Sequence, residues 1–234
     1  MRHIQKGGEP KALRDWKRAN KKIPENLFYG RRSTFPTSAV KDALLKEQFH
    51  LCAYTMKRLS TVDDFHIEHI QPQSITKKKP ETKPLEVDYT NMLACFPPKS
   101  DRAPGYGAPW KADYEVTDEN FVSPLHGSCE KRFLYKPDGT VKEANGDGAA
   151  KETIKALVLN HDVLVELRER ELRAYGIVRR GTRQISAKKA KELAESIMQP
   201  DSEGCLPEYC VAVRQVAEKY ANREEQWASA RKKS

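Results

Sequence analysis

The stretch 94–110, ACFPPKSDRAPGYGAPW, holds four prolines and two glycines. Proline offers no backbone donor and glycine loses the most freedom on ordering, so no helix or strand of ordinary length runs through it. Such a stretch is costly to order unless neighbouring groups fix it in place. Slightly earlier, ITKKKPETKPLEVD (75–88) is broken by two prolines and heavily charged, and it reads as a solvated loop. What surrounds them is short. LCAY (51–54) and FHIEHI (65–70) read as two extended segments separated by KRLSTVDD. The middle of the chain is therefore predicted to be small strands and turns.

The two ends read differently. Pro10 suits the first turn of a basic helix with Leu13 and Trp16 three apart, stopped at Ile23–Pro24. Thr37 or Ser38 is a candidate cap for a second helix whose apolar face uses Val40, Leu44, Leu45 and Phe49. LYKPDGTVKEANGDG has the pattern of a hairpin turning at Asp138–Gly139. Beyond it, Ile154, Leu157, Val158, His161, Leu164 and Val165 follow the helical period as one stripe, which makes His161 a core histidine. Ser186 is a candidate cap for a helix carrying Ala190, Leu193, Ala194, Ile197 and Met198, and a last helix uses Val213, Val216, Ala217 and Tyr220. The expected class is α+β, with an N-terminal helical arm (1–46), a core with loop and hairpin extensions (47–148) and a helical C-terminal region (149–234). That last region has amphipathic stripes without clustered His, Asp or Glu, so it is expected to dock a partner.

Composition narrows the function. Forty-two Lys and Arg against 33 Asp and Glu give a formal charge of +9, which favours a polyanionic partner such as nucleic acid. No run approaches the ~18 apolar residues that a membrane helix needs, and the start MRHIQKGGEPKALRDWKR lacks the apolar heart of a secretory signal. Five scattered cysteines, an odd number, do not form a disulfide framework, so the reducing cytoplasm is the expected compartment. No GxxxxGK loop occurs, and ATP binding would have to come from another protein.

The chemistry concentrates in FHIEHIQP and DYTNMLAC. His66, Glu68 and His69 fall within four residues at a strand end, and Asn91 follows His69 by 22 residues. Alternation sets His66 and Glu68 on one side, and a bend beyond His69 would bring its imidazole to a shared pocket. A carboxylate holds a hard divalent cation such as Mg²⁺, an imidazole accepts the proton of an attacking water, and an asparagine amide ties down a loop without adding charge. This set suits phosphodiester hydrolysis.

The arrangement Cys52–Ala53–Tyr54–Thr55, Ile67–Glu68–His69–Ile70–Gln71–Pro72 and Tyr89–Thr90–Asn91–Met92–Leu93–Ala94–Cys95 resembles the HNH, or ββα-metal, endonucleases over about residues 47–103. More narrowly, with TIKALVLNHDVLVELR (153–168), it is similar to the HNH subunit of bacterial Septu and retron-associated anti-phage systems. The resemblance implies a small ββα core in which His69 is the general base, Glu68 a metal ligand, Asn91 the asparagine that braces the loop, and His66 a further ligand or phosphate contact. It implies Mg²⁺ or Mn²⁺ as cofactor. It also implies a nucleic acid substrate (DNA or RNA, tRNA included), an ABC/SMC-like ATPase partner and, in retron-type systems, a reverse transcriptase with its DNA–RNA product.

Two positions depart from the family. Its paired Cys-x-x-Cys motifs are each half present, as Cys52…Thr55 and Cys95…Pro98, and two sulfurs do not complete a tetrahedral Zn²⁺ site, so structural zinc is not expected. Neither Cys129 nor His126 has a spacing that compels a part in one. The last metal position falls near Lys99, a poor ligand while charged. Either Asp101 replaces it, leaving Lys99 and Arg102 as phosphate contacts, or the cation is held by Glu68, His66 and the substrate. Arg31, Arg32, the Lys77–Lys79 run, Arg179, Arg180 and Arg183 are further candidates for backbone phosphates. Tyr106 and Trp110 either stack on a base or anchor the loop. The competing reading is a catalytically decayed HNH-fold subunit that binds nucleic acid or acts as a scaffold.

Overall fold

A computed structural model describes residues 1–30, 32–99, 104–178 and 184–231. It is a mixed α and β structure, 47% helical, with two two-stranded antiparallel sheets among the described residues. Arg31, Asp101, Arg102, Arg179, Arg180 and Arg183 lie outside the described residues.

Helix α1 (Lys11–Ala19) turns Leu13 and Trp16 inward, and the indole donates to Thr34 Oγ1 at 2.9 Å. Helix α2 (Thr37–Glu47) buries Val40, Leu44 and Leu45. Neither Thr37 nor Ser38 caps it. Pro36 holds the N-cap position, and its side chain has no polar atom to make a capping bond. Phe49 falls beyond the helix, where Phe49 and His50 both take positive φ (54° and 61°) and reverse the chain.

LCAY does not form a strand. Residues 51–58 close back on themselves through a single bridge, Leu51 with Arg58, and through Cys52 N–H to Lys57 O at 2.8 Å. The strand β1 (His66–His69) pairs instead with β2 (Met92–Cys95), in the register His66 with Cys95 and Glu68 with Leu93. Between them the chain departs from the expected solvated loop. Helix α3 (Gln73–Lys78) and a 3₁₀ segment (Pro80–Glu86) fill it, with Ile75, Thr76 and Glu86 buried. The prolines explain the difference: a fixed φ near −65° starts and continues helical turns as readily as it breaks strands. The next helix after β2 among the described residues is short, α4 (Ala108–Lys111).

The hairpin forms as expected, β3 (Phe133–Tyr135) with β4 (Val141–Glu143). The apolar stripe at 154–165, however, belongs to two helices, α5 (Gly148–Ala156) and α6 (Asp162–Ala174). Val158 takes a positive φ of 46° between them, and Asn160 clamps the hairpin by bonding both Val141 N–H and Val141 O at 2.8 Å. His161 is therefore not a core histidine but the N-cap of α6, accepting from Val163 N–H at 3.3 Å. Asn-His-Asp supplies polar groups at the break that the apolar period passes over.

Helix α7 (Ala187–Ser196), capped by Ser186 as expected, packs on the long α8 (Cys210–Arg231). The first half of α8 is not a peripheral docking face. Val211, Ala212 and Val213 have no exposure, and Gln215 donates to Glu130 O and Phe133 O while accepting from Tyr135 N–H. One contiguous apolar core includes Leu13, Val40, Leu93, Phe133, Leu164 and Val213, and so runs through all three expected segments. No described helix is long and apolar enough to cross a membrane.

Candidate active site

The site is built on β1, whose alternation buries Ile67 and His69 on one face and leaves His66 and Glu68 half-buried on the other. Across the sheet the partners of this second face are Leu93 and Cys95. His66 donates from Nδ1 to the Pro97 carbonyl at 2.6 Å, which points its Nε2 at Glu68 Oε2, 3.6 Å away. The other carboxylate oxygen, Oε1, meets the ammonium of Lys111 at 2.9 Å.

Nothing in spacing or neighbours singles out Lys111 among the 42 Lys and Arg. Gly107, at φ 78°, turns the proline-rich segment into α4, whose last residue is Lys111. Its side chain has no exposure, and Nζ also donates to the carbonyls of His69 (3.2 Å) and Ile70 (3.1 Å). Two of its donors are hydrogen-bonded to backbone carbonyls, and the ion pair with Glu68 holds the ammonium on its remaining side. The end of the proline-rich stretch at α4 is thus pinned to the site by an ion pair.

Electrostatics follow from these neighbours. Burial opposes the Glu68 charge, but Lys111 and His66 outweigh it and hold the carboxyl below its ordinary range. Burial likewise opposes a charged His66, and the nearby Glu68 carboxylate together with the bond to the Pro97 carbonyl reverses that and raises it. His66 Nε2 and Glu68 Oε1 are both buried without a hydrogen-bond partner among the described residues.

His69 continues the alternation, so its ring does not bend round to Glu68 as the sequence suggested. The ring lies 5% exposed, 5.0 Å from the Tyr29 ring, and donates from Nε2 to the Glu86 carbonyl at 2.9 Å. A neutral imidazole that donates from Nε2 keeps its lone pair on Nδ1. Burial lowers its pKa, so it carries that lone pair at neutral pH. Asn91 braces the turn that follows. Its Oδ1 accepts from Gln71 N–H at 2.8 Å, its Nδ2 donates to Gln71 O (3.1 Å) and Leu85 O (2.9 Å), and its carbonyl accepts from Ile70 N–H.

The structure thus brings His66, Glu68 and Lys111 together, sets the His69 ring on the opposite face, and uses Asn91 to hold the turn that follows β1. Lys99 and Arg32 are exposed, as is the Lys77–Lys79 run. Tyr106 anchors rather than stacks: it is buried, with its ring beside His161 and its hydroxyl 3.4 Å from Lys57 Nζ. Trp110 is 47% exposed. Cys52 and Cys95 are buried neighbours. The thiol of Cys52 accepts from Phe96 N–H at 3.4 Å, and although burial opposes it, bonds from Cys95 and Thr55 bring its pKa down to about 6. Cys129 is bonded elsewhere, to Pro124 O.

The donor set meets a divalent cation partway. His66 Nε2 and Glu68 Oε2 face one another closely enough for a single ion to be reached by both, since Mg–O bonds run about 2.0–2.1 Å. The histidine is also oriented by a carbonyl on its other nitrogen, the usual second support of a ligand histidine. Yet no group of three or more His, Cys, Asp or Glu comes together among the described residues. Any ion here would take its remaining ligands from water or substrate. No protein-family model matches this chain, and a search of curated proteins finds no match either.

Proposed function

We propose that this chain is an HNH-type, metal-dependent endonuclease that hydrolyses phosphodiester bonds in nucleic acid. The observation that carries the reading is the pair His66 Nε2 and Glu68 Oε2, which face one another 3.6 Å apart on one face of β1. The resemblance assigns the general base to His69, whose ring is held at Nε2 by the Glu86 carbonyl and buried on the other face of the strand. Glu68 and His66 are the protein's donors to Mg²⁺ or Mn²⁺, and that ion, when bound, supplies Lewis-acid stabilisation of the phosphate and leaving oxygen. Lys111 fixes the Glu68 carboxylate, and Asn91 holds the turn that follows β1. The charge of +9 suits a phosphate backbone. From the resemblance, the proposal extends to a place in an anti-phage defence complex with an ABC/SMC-like ATPase.

One observation favours a second reading, a non-catalytic nucleic-acid-binding subunit: Glu68 is already neutralised by Lys111. A single comparison separates the two. Cells expressing the chain, or the chain with its complex, are compared with cells expressing His69→Gln at equal protein level, and DNA and RNA fragments are sequenced. Fragments that depend on His69 support the nuclease. Identical fragment profiles, with nucleic acid still bound, establish the second reading.

A further inference from the structure

We propose that Lys111 is a built-in counter-cation that makes divalent-cation binding at Glu68 conditional on the phosphate of the substrate. The inference rests on the nuclease reading above and goes beyond it by fixing the order in which the site assembles.

The argument is one of charge and coordination. A hard divalent cation is held in enzymes by one or two carboxylates together with phosphate oxygens and water. Here Glu68 is the carboxylate that shares a pocket with a ligand-oriented histidine, and its unit charge is cancelled by an ammonium 2.9 Å away. The sum over Glu68, Lys111 and a neutral His66 is zero. Lys111 cannot swing out to make room for an ion, because its side chain has no exposure and its other two donors are spent on the His69 and Ile70 carbonyls. Among the described residues, Glu68 Oε2 and His66 Nε2 are the pair that faces an ion. Two donors with no net charge hold a divalent cation poorly, and a phosphodiester supplies both the missing anion and a further oxygen ligand. Free protein would stay without its ion, and hence inactive, until nucleic acid lies across the site.

Binding of Mn²⁺, followed by the loss of its free-ion electron paramagnetic resonance signal, tests this without reference to cleavage. The full chain is titrated alone and with short phosphorothioate oligonucleotides, in DNA and RNA forms. In the parent, Mn²⁺ affinity should rise at least about tenfold when a bound oligonucleotide is present. Lys111→Gln, which keeps amide donors but removes the charge, should tighten Mn²⁺ binding to the free protein by at least about tenfold, since a unit charge within a few ångströms acts strongly in a part-buried site. A merely structural lysine would give the opposite, weaker binding on replacement. Equal affinity of the parent with and without bound oligonucleotide overturns the inference, and that arm needs no variant to fold. A folded Lys111→Gln with unchanged affinity also overturns it, while Glu68-dependent Mn²⁺ binding leaves the nuclease reading standing. If Glu68→Gln has no effect on Mn²⁺ binding in any arm, the nuclease reading itself falls and takes this inference with it.

Discussion

His69 Nε2 lies 2.9 Å from the Glu86 carbonyl, and the Glu86 carboxylate in turn accepts from Gln73 Nε2 at 3.0 Å and from Tyr29 N–H at 3.3 Å. The proposed base is thus tied through one residue to the start of α3 and to the segment that precedes α2. Removing the ring costs more than a proton acceptor. His69→Ala orphans a buried carbonyl, a loss of about 1–3 kcal/mol, and also empties the contact with Tyr29. His69→Gln sets an amide nitrogen near the position of Nε2 and keeps that bond. Both variants should lose cleavage by at least roughly 10²-fold, but only the alanine should show a clearly lower urea midpoint. A glutamine variant cleaving at the parental rate would remove His69 from the mechanism.

The Glu68 pocket gives a pH dependence whose sign is fixed. The folded carboxyl titrates below its ordinary value of 4.5 because Lys111 and His66 outweigh the burial that opposes its charge. Its contribution to stability is therefore present above 4.5 and is lost as pH falls through the folded value. His66 works the other way. Raised above 6.5, it contributes fully below that value and loses its contribution as pH climbs through its folded pKa. Glu68→Gln should be less stable than the parent at neutral pH, with the difference shrinking on acidification below about pH 5. Urea midpoints of the two proteins against pH test this, and a constant offset down to the acid limit would mean that Glu68 is not the titrating group.

The positions legible in the sequence are those where local chemistry and tertiary packing agree. Leu13 and Trp16, the Asp138–Gly139 turn, the Ser186 cap and the apolar residues of α8 all form what their spacing says. The failures share a cause. Proline and charge in 75–88 argue for solvent, yet Ile75, Thr76 and Glu86 are buried because β1 and β2 need a cover and prolines tolerate helical turns. At 154–165 an unbroken apolar period hides a break, because Leu157 and Leu159 stay in the core on either side of Val158. In the site, His66, Glu68, His69 and Asn91 stand out as residue types, but the opposite facing of His69 and Glu68 and the arrival of Lys111 depend on a long-range pairing. A lysine is recognisable as buried only when its ion-pair partner and its two carbonyl acceptors are known.

Gly139 offers a test of the hairpin's docking that is independent of the site. Its φ is 81°, and a Cβ there would lie 2.2 Å from the Val165 carbonyl oxygen on α6. The same turn presents Gly139 O to Arg168, a buried arginine that also donates to Leu159 O at 2.6 Å. Backbone strain and collision act together, and neither is relieved by moving a flexible side chain. Gly139→Ala should cost more than about 1 kcal/mol, with Tm lowered and cleavage per folded molecule unchanged. An alanine variant as stable as the parent would mean that the hairpin and α6 are not packed this closely.

The C-terminal helices give the last prediction, and it reverses the expectation that residues from about 186 onward dock a partner and leave the core alone. Tyr209 N–H bonds Met56 O at 3.2 Å, Arg58 donates to Leu206 O at 2.5 Å, and Arg58 N–H reaches Glu208 at 2.7 Å, so the segment entering α8 is stitched to the turn before β1. Arg214 pairs with Glu130 at 2.7 Å beside the hairpin. Buried Val211, Val213 and Val216 are worth about 1.5–3 kcal/mol each, and with Leu206 and Tyr209 they approach the whole net stability of a domain, about 5–15 kcal/mol. A chain ending before Ser186 should therefore fail to fold, as judged by near-UV circular dichroism and proteolysis. The far end of α8 behaves differently. Trp227 is 55% exposed, and the Lys191–Glu225 ion pair is about half exposed on both sides, a type of contact worth roughly 0–1 kcal/mol. A chain ending at Arg223 should keep its fold and lose less than about 1 kcal/mol. If instead the longer truncation folds normally, the first half of α8 is an appendage and the single shared core described here is wrong.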